Sequence, residues 1–408
     1  MRGKQNRKQK RQKYAFNIGF SAIIHFIYYT INMENNLKQW AKKILESAEI
    51  SINGQNPWDI KVKNDKFYNR VRAQGSLGLG ESYMDNWWEC DKLDGFFYRL
   101  LSSYISGSRL SLPVLLGFAR AKIFNLQAIS RAFEVGEKHY DIDNRLFFDM
   151  LGKTMAYSCG YWKAAKSLDE AQEAKFDLIC KKLDIKKGQE ILDIGCGWGG
   201  FALYAAKKYG AKVTGITVSK EQIKYAEKFC EGLAAEFKLQ DYRELNSAYY
   251  KNKFDHIVSV GMFEHVGEKN YKTFFKTAKN CLNKDGLFLL HTIGNPKTAN
   301  NTDPWLNKYI FPNGMLPSLK QIASNAENLF IIEDVHNFGA DYDKTLMQWH
   351  KNFIAKWPKL KNKYDERFYR MWNYYLLSCA GAFRARSIQL WQIVLSPRGV
   401  KGGYKPIL

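Results

Sequence analysis

Leu192-Asp193-Ile194-Gly195-Cys196-Gly197-Trp198-Gly199-Gly200 is the stretch whose reading decides the fold. The run before it, Glu190–Ile194, reads as a buried strand, and Gly200–Tyr209 reads as a helix ended by Gly210. Glycines let the backbone turn sharply and approach a ligand closely, and the helix that follows aims its N-terminus at that ligand. A merely tight turn would not need four glycines within six residues. Gly195, Gly197 and Gly200 also satisfy the G-x-G-x-x-G spacing of dinucleotide sites. Two details point elsewhere. Asp193 stands two residues before the first glycine, where a carboxylate can reach an amino group. The second strand ends in Thr217, not in the Asp or Glu that grips a ribose diol. The loop therefore favours S-adenosylmethionine over a nicotinamide cofactor, with ribose contacts supplied from elsewhere.

Outward from the loop, strands and helices alternate between Leu168 and Ile293, which predicts an α/β fold with a doubly wound parallel sheet. Strands are expected at Glu190–Ile194, Lys212–Ile216, Phe237–Leu239, Phe254–Val260 and Gly286–His291. Ser219 and Gln222 have capping-box spacing at the start of the second helix. Sheets of this kind bind ligands beyond the carboxyl ends of their strands. Those ends are Gly195–Gly199, Thr217, Asp241, Glu264 and His291. Asp241 and Tyr242 would meet an adenine, and Gln222 either touches the cofactor or simply caps its helix. Glu264 and His291 form a candidate acid–base or anion-holding pair at neighbouring strand ends. After Gly294 an irregular aromatic segment is expected, then helices at Lys344–Phe353 and Asp365–Ala385.

Ahead of the sheet, Leu37–Ser47 carries Leu37, Trp40, Ala41, Ile44 and Leu45 at helical spacing, while Gly75–Gly80 is too glycine-rich for a helix. Val114–Phe133 reads as a basic amphipathic helix, suited to a bilayer surface or to an ordinary neighbour. The division expected is an extension at 1–33, a smaller domain at 34–135 and a cofactor-binding domain at 136–408. The extension joins seven basic residues to the apolar Tyr14–Ile31, the pattern of a basic-inside anchor or of a leader before a start at Met33. The abrupt change of composition after Met33 favours the leader.

The whole chain of 408 residues carries a formal charge of +22, of which +15 remains once the extension's seven are set aside. Such a surplus calls for an anionic partner, either lipid headgroups or nucleic acid. Neither a recognised RNA-binding motif nor a zinc site is evident, so a lipid surface is expected and nucleic acid is not. Seven scattered cysteines without a CxxC pair argue for a reducing compartment, and no HExxH arrangement suggests a metal. Aromatic residues reach 15%, in keeping with a large core or a long apolar ligand.

Taken in order, Gly75–Asp91 (GSLGLGESYMDNWWECD), Tyr157–Trp162 (YSCGYW), Leu192–Gly200, Val260–Gly267 (VGMFEHVG), Leu290–Gly294 (LHTIG), Tyr309–Pro317 (YIFPNGMLP), Asn337–Asp343 (NFGADYD) and Ser378–Arg386 (SCAGAFRAR) resemble the cyclopropane-fatty-acyl-phospholipid synthases. The resemblance runs from about Met33 to Val394. The glycine loop is common to many methyltransferases, but the other motifs in this order are highly specific. The first segment distinguishes bacterial phospholipid enzymes from mycolic-acid relatives, which lack that N-terminal domain.

The resemblance implies a class I methyltransferase fold behind a smaller lipid-engaging domain, commonly in a homodimer. It implies a cytoplasmic protein, peripheral at the inner face of the membrane. The substrate would be a cis-unsaturated acyl chain on phospholipid already at the bilayer surface, converted to a cyclopropane by a methylene group from S-adenosylmethionine. Carried over by motif, Tyr157, Ser158, Asp193, Gly195, Cys196, Gly197, Trp198, Gly199, Gly200, Thr217, Gln222, Asp241 and Tyr242 would bind S-adenosylmethionine. Cys159, Glu264, His291, Ile293 and Tyr342 would surround a bicarbonate ion, the base that removes a proton before the ring closes. Cys379 matches a cysteine often singled out in this family, but the alkene is itself the nucleophile and Cys379 reads first as packing. Tyr161, Trp162 and Phe263 are expected to face the cationic centre. The alternative is a methyltransferase of another lipid or a small amine, without ring closure.

Overall fold

The computed structural model describes residues 37–105, 144–299 and 302–408. The extension at 1–33 and the amphipathic Val114–Phe133 lie outside the described residues. The chain divides into two compact units after Asp91. The expected boundary near residue 135 falls outside the described residues too.

In the first unit, helix α1 (residues 37–46) buries Leu37, Ala41 and Leu45 and leaves Trp40 exposed. Strand β1 (Lys61–Val62) pairs antiparallel with β2 (Trp88–Glu89) beside helices α2 (Lys66–Gln74) and α3 (Ser76–Met84). Helix α3 overturns the expectation for Gly75–Gly80. Gly78 is there for close approach, since a Cβ on it would collide with the Arg70 carbonyl of α2. Arg70 then binds Glu81 and Asp85 on or beside α3 at 2.5 and 2.6 Å. Packing has outweighed the weak helix propensity of glycine.

The second unit opens with α4 (Leu93–Ile105), followed by α5 (Asn144–Leu151) and α6 (Leu168–Lys182). Strand β3 (Glu190–Ile194) leads into α7 (Gly200–Tyr204), which widens to a π-turn over Ala205–Tyr209 before Gly210. Then come β4 (Lys212–Thr217), α8 (Lys220–Phe229), β5 (Ala235–Leu239), β6 (Phe254–Val260), α9 (Glu268–Cys281) and β7 (Leu282–Gly294). Helices α10 (Pro304–Tyr309) and α11 (Leu319–Ala326), strand β8 (Ile331–Asn337), helices α12 (Ala340–Leu360) and α13 (Glu366–Arg384), and strand β9 (Gln389–Ser396) complete it.

The seven strands are ordered β5-β4-β3-β6-β7-β9-β8, parallel up to β7 and antiparallel at β9 and β8. The five parallel strands stand where the sequence reading put them. The antiparallel pair was not foreseen. Successive strand residues face opposite sides, so Leu192 and Ile194 join a core with Phe274, Phe275 and Phe288, while Ile191 joins Phe176, Ile179 and Phe201. Burying each such side chain is worth about 1.5–3 kcal/mol. The sheet is thereby fixed between helices, with all its parallel strands ending on one side. Helix α4 packs on α13, with Phe97 edge-on to Tyr374 at 5.2 Å, and Arg384 holds Asp94 at 2.7 Å and Asp343 at 2.9 Å.

Candidate active site

The loop after β3 is shaped by its backbone. Gly195, Gly197 and Gly199 all have positive φ. A Cβ at Gly195 would sit 2.6 Å from Met262, whereas a Cβ at Gly197 would meet nothing within 4 Å. The loop is thus packed at its base and open at its crest. The amides of Gly195 and Cys196 both donate to Ile216 O at 3.0 Å, which ties the turn to β4. Trp198 is buried, its ring 5.1 Å from Phe147 and its indole donating to Asn144 at 3.3 Å. Burial pushes the Cys196 thiol well up, so it stays protonated.

The Asp193 carboxyl is buried with no hydrogen-bond partner among the described residues, and burial pushes it up to about 7 against the pull of Lys175. At the end of β4, Thr217 donates to Gln222 Oε1 at 2.7 Å. Ser219 accepts from the Gln222 amide at 3.3 Å, so half of the capping box forms and the Gln222 side chain turns to Thr217. Asp241 accepts two bonds from the Arg243 guanidinium, both 2.7 Å, and one from its amide at 2.9 Å. Tyr242 packs its ring edge-on to Phe274 at 5.3 Å and leaves a buried hydroxyl without a partner among the described residues.

A second cluster lies beyond β6 and β7. Glu264 sits in a short 3-10 turn (Phe263–His265) after β6, and His291 lies on β7 opposite Val260. Glu264 Oε1 accepts from the Ile293 amide at 2.6 Å, but its buried Oε2 has no partner among the described residues. Burial pushes this carboxyl up to about 7. Burial and the cations Lys175 and Lys182 hold His291 well below the usual imidazole range, so it is neutral. The Gln392 amide donates to His291 Nδ1 at 3.3 Å, which places the ring proton on Nε2, also buried and without a partner among the described residues. Two polar atoms, one in the turn after β6 and one on the adjacent β7, are thus left without a partner among the described residues, and buried groups seldom stay unsatisfied.

The strap Tyr157–Gly160 and α12 close this cluster. Cys159 is fully buried, 3.9 Å from Thr345 on α12, and burial keeps its thiol well up. Tyr342, one turn before Thr345, stacks on Phe383 at 4.5 Å, and Cys159, Glu264, Tyr157 and Cys379 all act on its hydroxyl. Tyr157 donates to Tyr375 at 2.8 Å, and its ring lies 5.3 Å from Trp349. Ser158 accepts from Lys175 at 2.7 Å. Cys379 lies on α13, its thiol pushed up to about 12 by burial. A thiol at that level is no thiolate nucleophile.

The three aromatics expected near the cationic centre are engaged elsewhere. Phe263 is fully buried and stacks on Tyr271 at 4.3 Å, turned into the core because its face completes the packing against α9. Tyr161 packs on Phe338 and His336 at 5.3 and 5.8 Å. Trp162 spends its indole on Thr345 at 2.9 Å. The rings beside Tyr157 and Tyr342 are instead Trp349, Tyr375 and Phe383. Lys175, Trp349 and Gln392 were also missed. Gln392 depends on β9, which was not foreseen, and the other two sit on helices whose pattern marks a buried face without marking a site.

A glycine loop open at its crest, with a free buried carboxylate below it, at the head of the first strand of this sheet, defines a class I S-adenosylmethionine-dependent methyltransferase. The chain belongs to the mycolic acid cyclopropane synthetase family, whose model matches residues 127–393. It is 55% identical over 376 residues to the cyclopropane-fatty-acyl-phospholipid synthase of Escherichia coli (strain K12), covering 91% of this chain and 96% of that one. It is 30% identical to the sphingolipid C9-methyltransferase of Komagataella phaffii over 93% of this chain and 81% of that one. Among solved structures, mycolic acid cyclopropane synthase CmaA1 complexed with SAH and CTAB superposes with a TM-score of 0.58 at 31% identity, covering 64% of this chain and 97% of that one.

Proposed function

We propose that the chain forms cyclopropane rings on cis-unsaturated acyl chains of membrane phospholipids, taking the methylene carbon from S-adenosylmethionine. The observation that carries this reading is the pair of orphaned atoms, Glu264 Oε2 and His291 Nε2, beside an open glycine loop. A transfer to an amine can pass its N–H proton to solvent. A ring needs in addition a place to put a proton.

Asp193 would hold the cofactor's amino group, with Gly195–Gly200, Tyr157 and Ser158 around it and Thr217, Gln222, Asp241 and Tyr242 on the nucleoside side. When bound, the cofactor supplies an electrophilic methyl group, and a bicarbonate ion supplies a weak base. The residues present fit that ion. His291 Nε2–H and the Tyr342 hydroxyl are donors, and Glu264 Oε2 can exchange a proton with the ion's hydroxyl. The Ile293 amide is spent on Glu264, so its part is to fix that carboxyl. Cys159 closes the wall as a neutral thiol. Tyr157, Trp349 and Tyr342 present aromatic faces to positive charge on the substrate, and their burial keeps water away.

The surplus of +15 outside the extension suits anionic headgroups, and a peripheral cytoplasmic homodimer is part of the same proposal. Among the described residues no helix is long and apolar enough to cross a membrane. The test is an assay with unsaturated phospholipid vesicles and S-adenosylmethionine in carbonate-free buffer, with and without added bicarbonate. Cyclopropane chains that rise with bicarbonate support the proposal. Ring formation indifferent to bicarbonate removes the ion from it, and methylation that leaves the alkene intact favours the amine or other-lipid reading.

A further inference from the structure

Thr345 on α12 is fully buried, and its hydroxyl uses its one proton and both its lone pairs. It accepts from the Gly160 amide at 3.1 Å and from the Trp162 indole at 2.9 Å, and it donates to Asp341 O at 3.1 Å. Asp341, one turn earlier, accepts from the Trp162 amide at 2.7 Å. Gly160 is crowded from the other side too, since a Cβ on it would sit 2.9 Å from the Ala171 Cβ on α6. The strap therefore runs between α6 and α12 and is anchored on both. On α6, Gln172 donates to the Ser158 carbonyl at 2.8 Å, Lys175 to the Ser158 hydroxyl at 2.7 Å, and Ala171 O accepts from the Tyr161 amide at 2.8 Å. On α12, Thr345 and Asp341 hold Gly160 and Trp162. Cys159 lies between the anchors, its thiol donating to Gly160 O at 3.2 Å and touching Thr345 at 3.9 Å.

We propose that Thr345 is a positioning residue of the anion half of the site. Its hydroxyl clamps the strap to the turn of α12 that carries Tyr342, and so sets Cys159 as the wall of that half. The inference rests on the assignment of Cys159 and Tyr342 to the bicarbonate ion. A valine in place of Thr345 keeps the shape but leaves the Gly160 amide and the Trp162 indole as buried donors without their acceptor, a costly arrangement. The strap then moves off α12 to hydrate them, and Cys159 moves with it. Ser158 stays pinned to α6, so the cofactor half keeps its shape. A serine keeps the hydroxyl and its bonds.

The experiment compares the full chain with Thr345→Val and Thr345→Ser. The vesicle assay reads KM for bicarbonate and KM for S-adenosylmethionine. Alkylation by N-ethylmaleimide, followed by peptide mass spectrometry, reads the exposure of Cys159 against Cys180, a buried thiol on α6. Thr345→Val should raise the KM for bicarbonate about tenfold and leave that for S-adenosylmethionine within about twofold. Its Cys159 should be alkylated about tenfold faster while Cys180 keeps its rate. Thr345→Ser should follow the wild type throughout. Equal losses in both KM values, no loss in either, or a serine as poor as the valine overturns the proposal. A rise at Cys180 equal to that at Cys159 also overturns it, because the whole unit has then loosened. Should Thr345→Val fail to melt cooperatively, Trp162→Phe removes one of the clamping bonds and must show the same split, with the KM for bicarbonate up about threefold. Wild-type turnover indifferent to bicarbonate overturns the anion reading instead, and selective alkylation of Cys159 then decides the clamp on its own.

Discussion

The two halves of the site are made in different ways. On the cofactor side, Asp193–Gly200 is a single continuous loop whose shape is set by positive φ angles and by contact with Met262. On the other side, Cys159, Glu264, His291 and Tyr342 come from a strap, a 3-10 turn, a strand and a helix far apart in sequence. The first half is specified by backbone geometry and should fail when that geometry is altered. The second is specified by where protons sit, and should fail when a proton is removed although the shape is kept.

Gly195→Ala is the harshest way to break this contrast. It combines a strained φ of 88° with a clash at Met262, together about 2–4 kcal/mol of destabilisation. Calorimetry should find no measurable S-adenosylmethionine binding, and the melting temperature should fall. Gly197→Ala has the positive φ without the clash, about 1–2 kcal/mol, and should retain weak binding. If the two variants behave alike, contact at the loop base does not matter.

Glu264→Gln keeps the shape and removes the acid. Turnover should drop about a hundredfold while cofactor affinity stays within about threefold, as read by steady-state rates beside calorimetry. Equal losses in both would merge the two halves into one.

The same carboxyl predicts a pH dependence in the ligand-free protein. Its folded value is raised from 4.5 to about 7, so the folded chain keeps a proton that the unfolded chain has lost. Stability tied to this group is intact below 4.5 and is lost as pH rises towards 7, by about 2–3 kcal/mol. Denaturant titrations at pH 4.5 and pH 7.5 should show Glu264→Gln gaining on the wild type by that order. No relative gain would mean that Glu264 is solvated or ion-paired in solution.

Cys379→Ser should have the smallest effect, within about threefold in turnover, because a thiol at about 12 contributes packing and no thiolate. A hundredfold loss would make it part of the chemistry.

The same contrast explains what the sequence revealed. The loop, the five parallel strands and the strand-end positions of Glu264 and His291 are local patterns, and each was read correctly. Strands β8 and β9 were not, because they follow helices and pair only with distant partners. Without β9 there was no Gln392, and so no means of placing the proton of His291. The glycine-rich α3 was missed for a related reason, since Gly78 answers to the Arg70 carbonyl of another helix. Phe263 stood next to Glu264 in sequence, yet neighbours in a 3-10 turn point about 120° apart and its ring went to the core. Lys175 gave no local signal at all, being one lysine on an amphipathic helix.

The central claim is that this site both donates a carbon and removes a proton from it. The direct measurement is mass spectrometry of acyl chains after reaction of unsaturated phospholipid vesicles with S-adenosylmethionine carrying a CD3 methyl group. Ring closure gives products that have lost their double bond and gained CD2, the third deuteron having left. Products that retain CD3, on carbon or on a headgroup nitrogen, would contradict it.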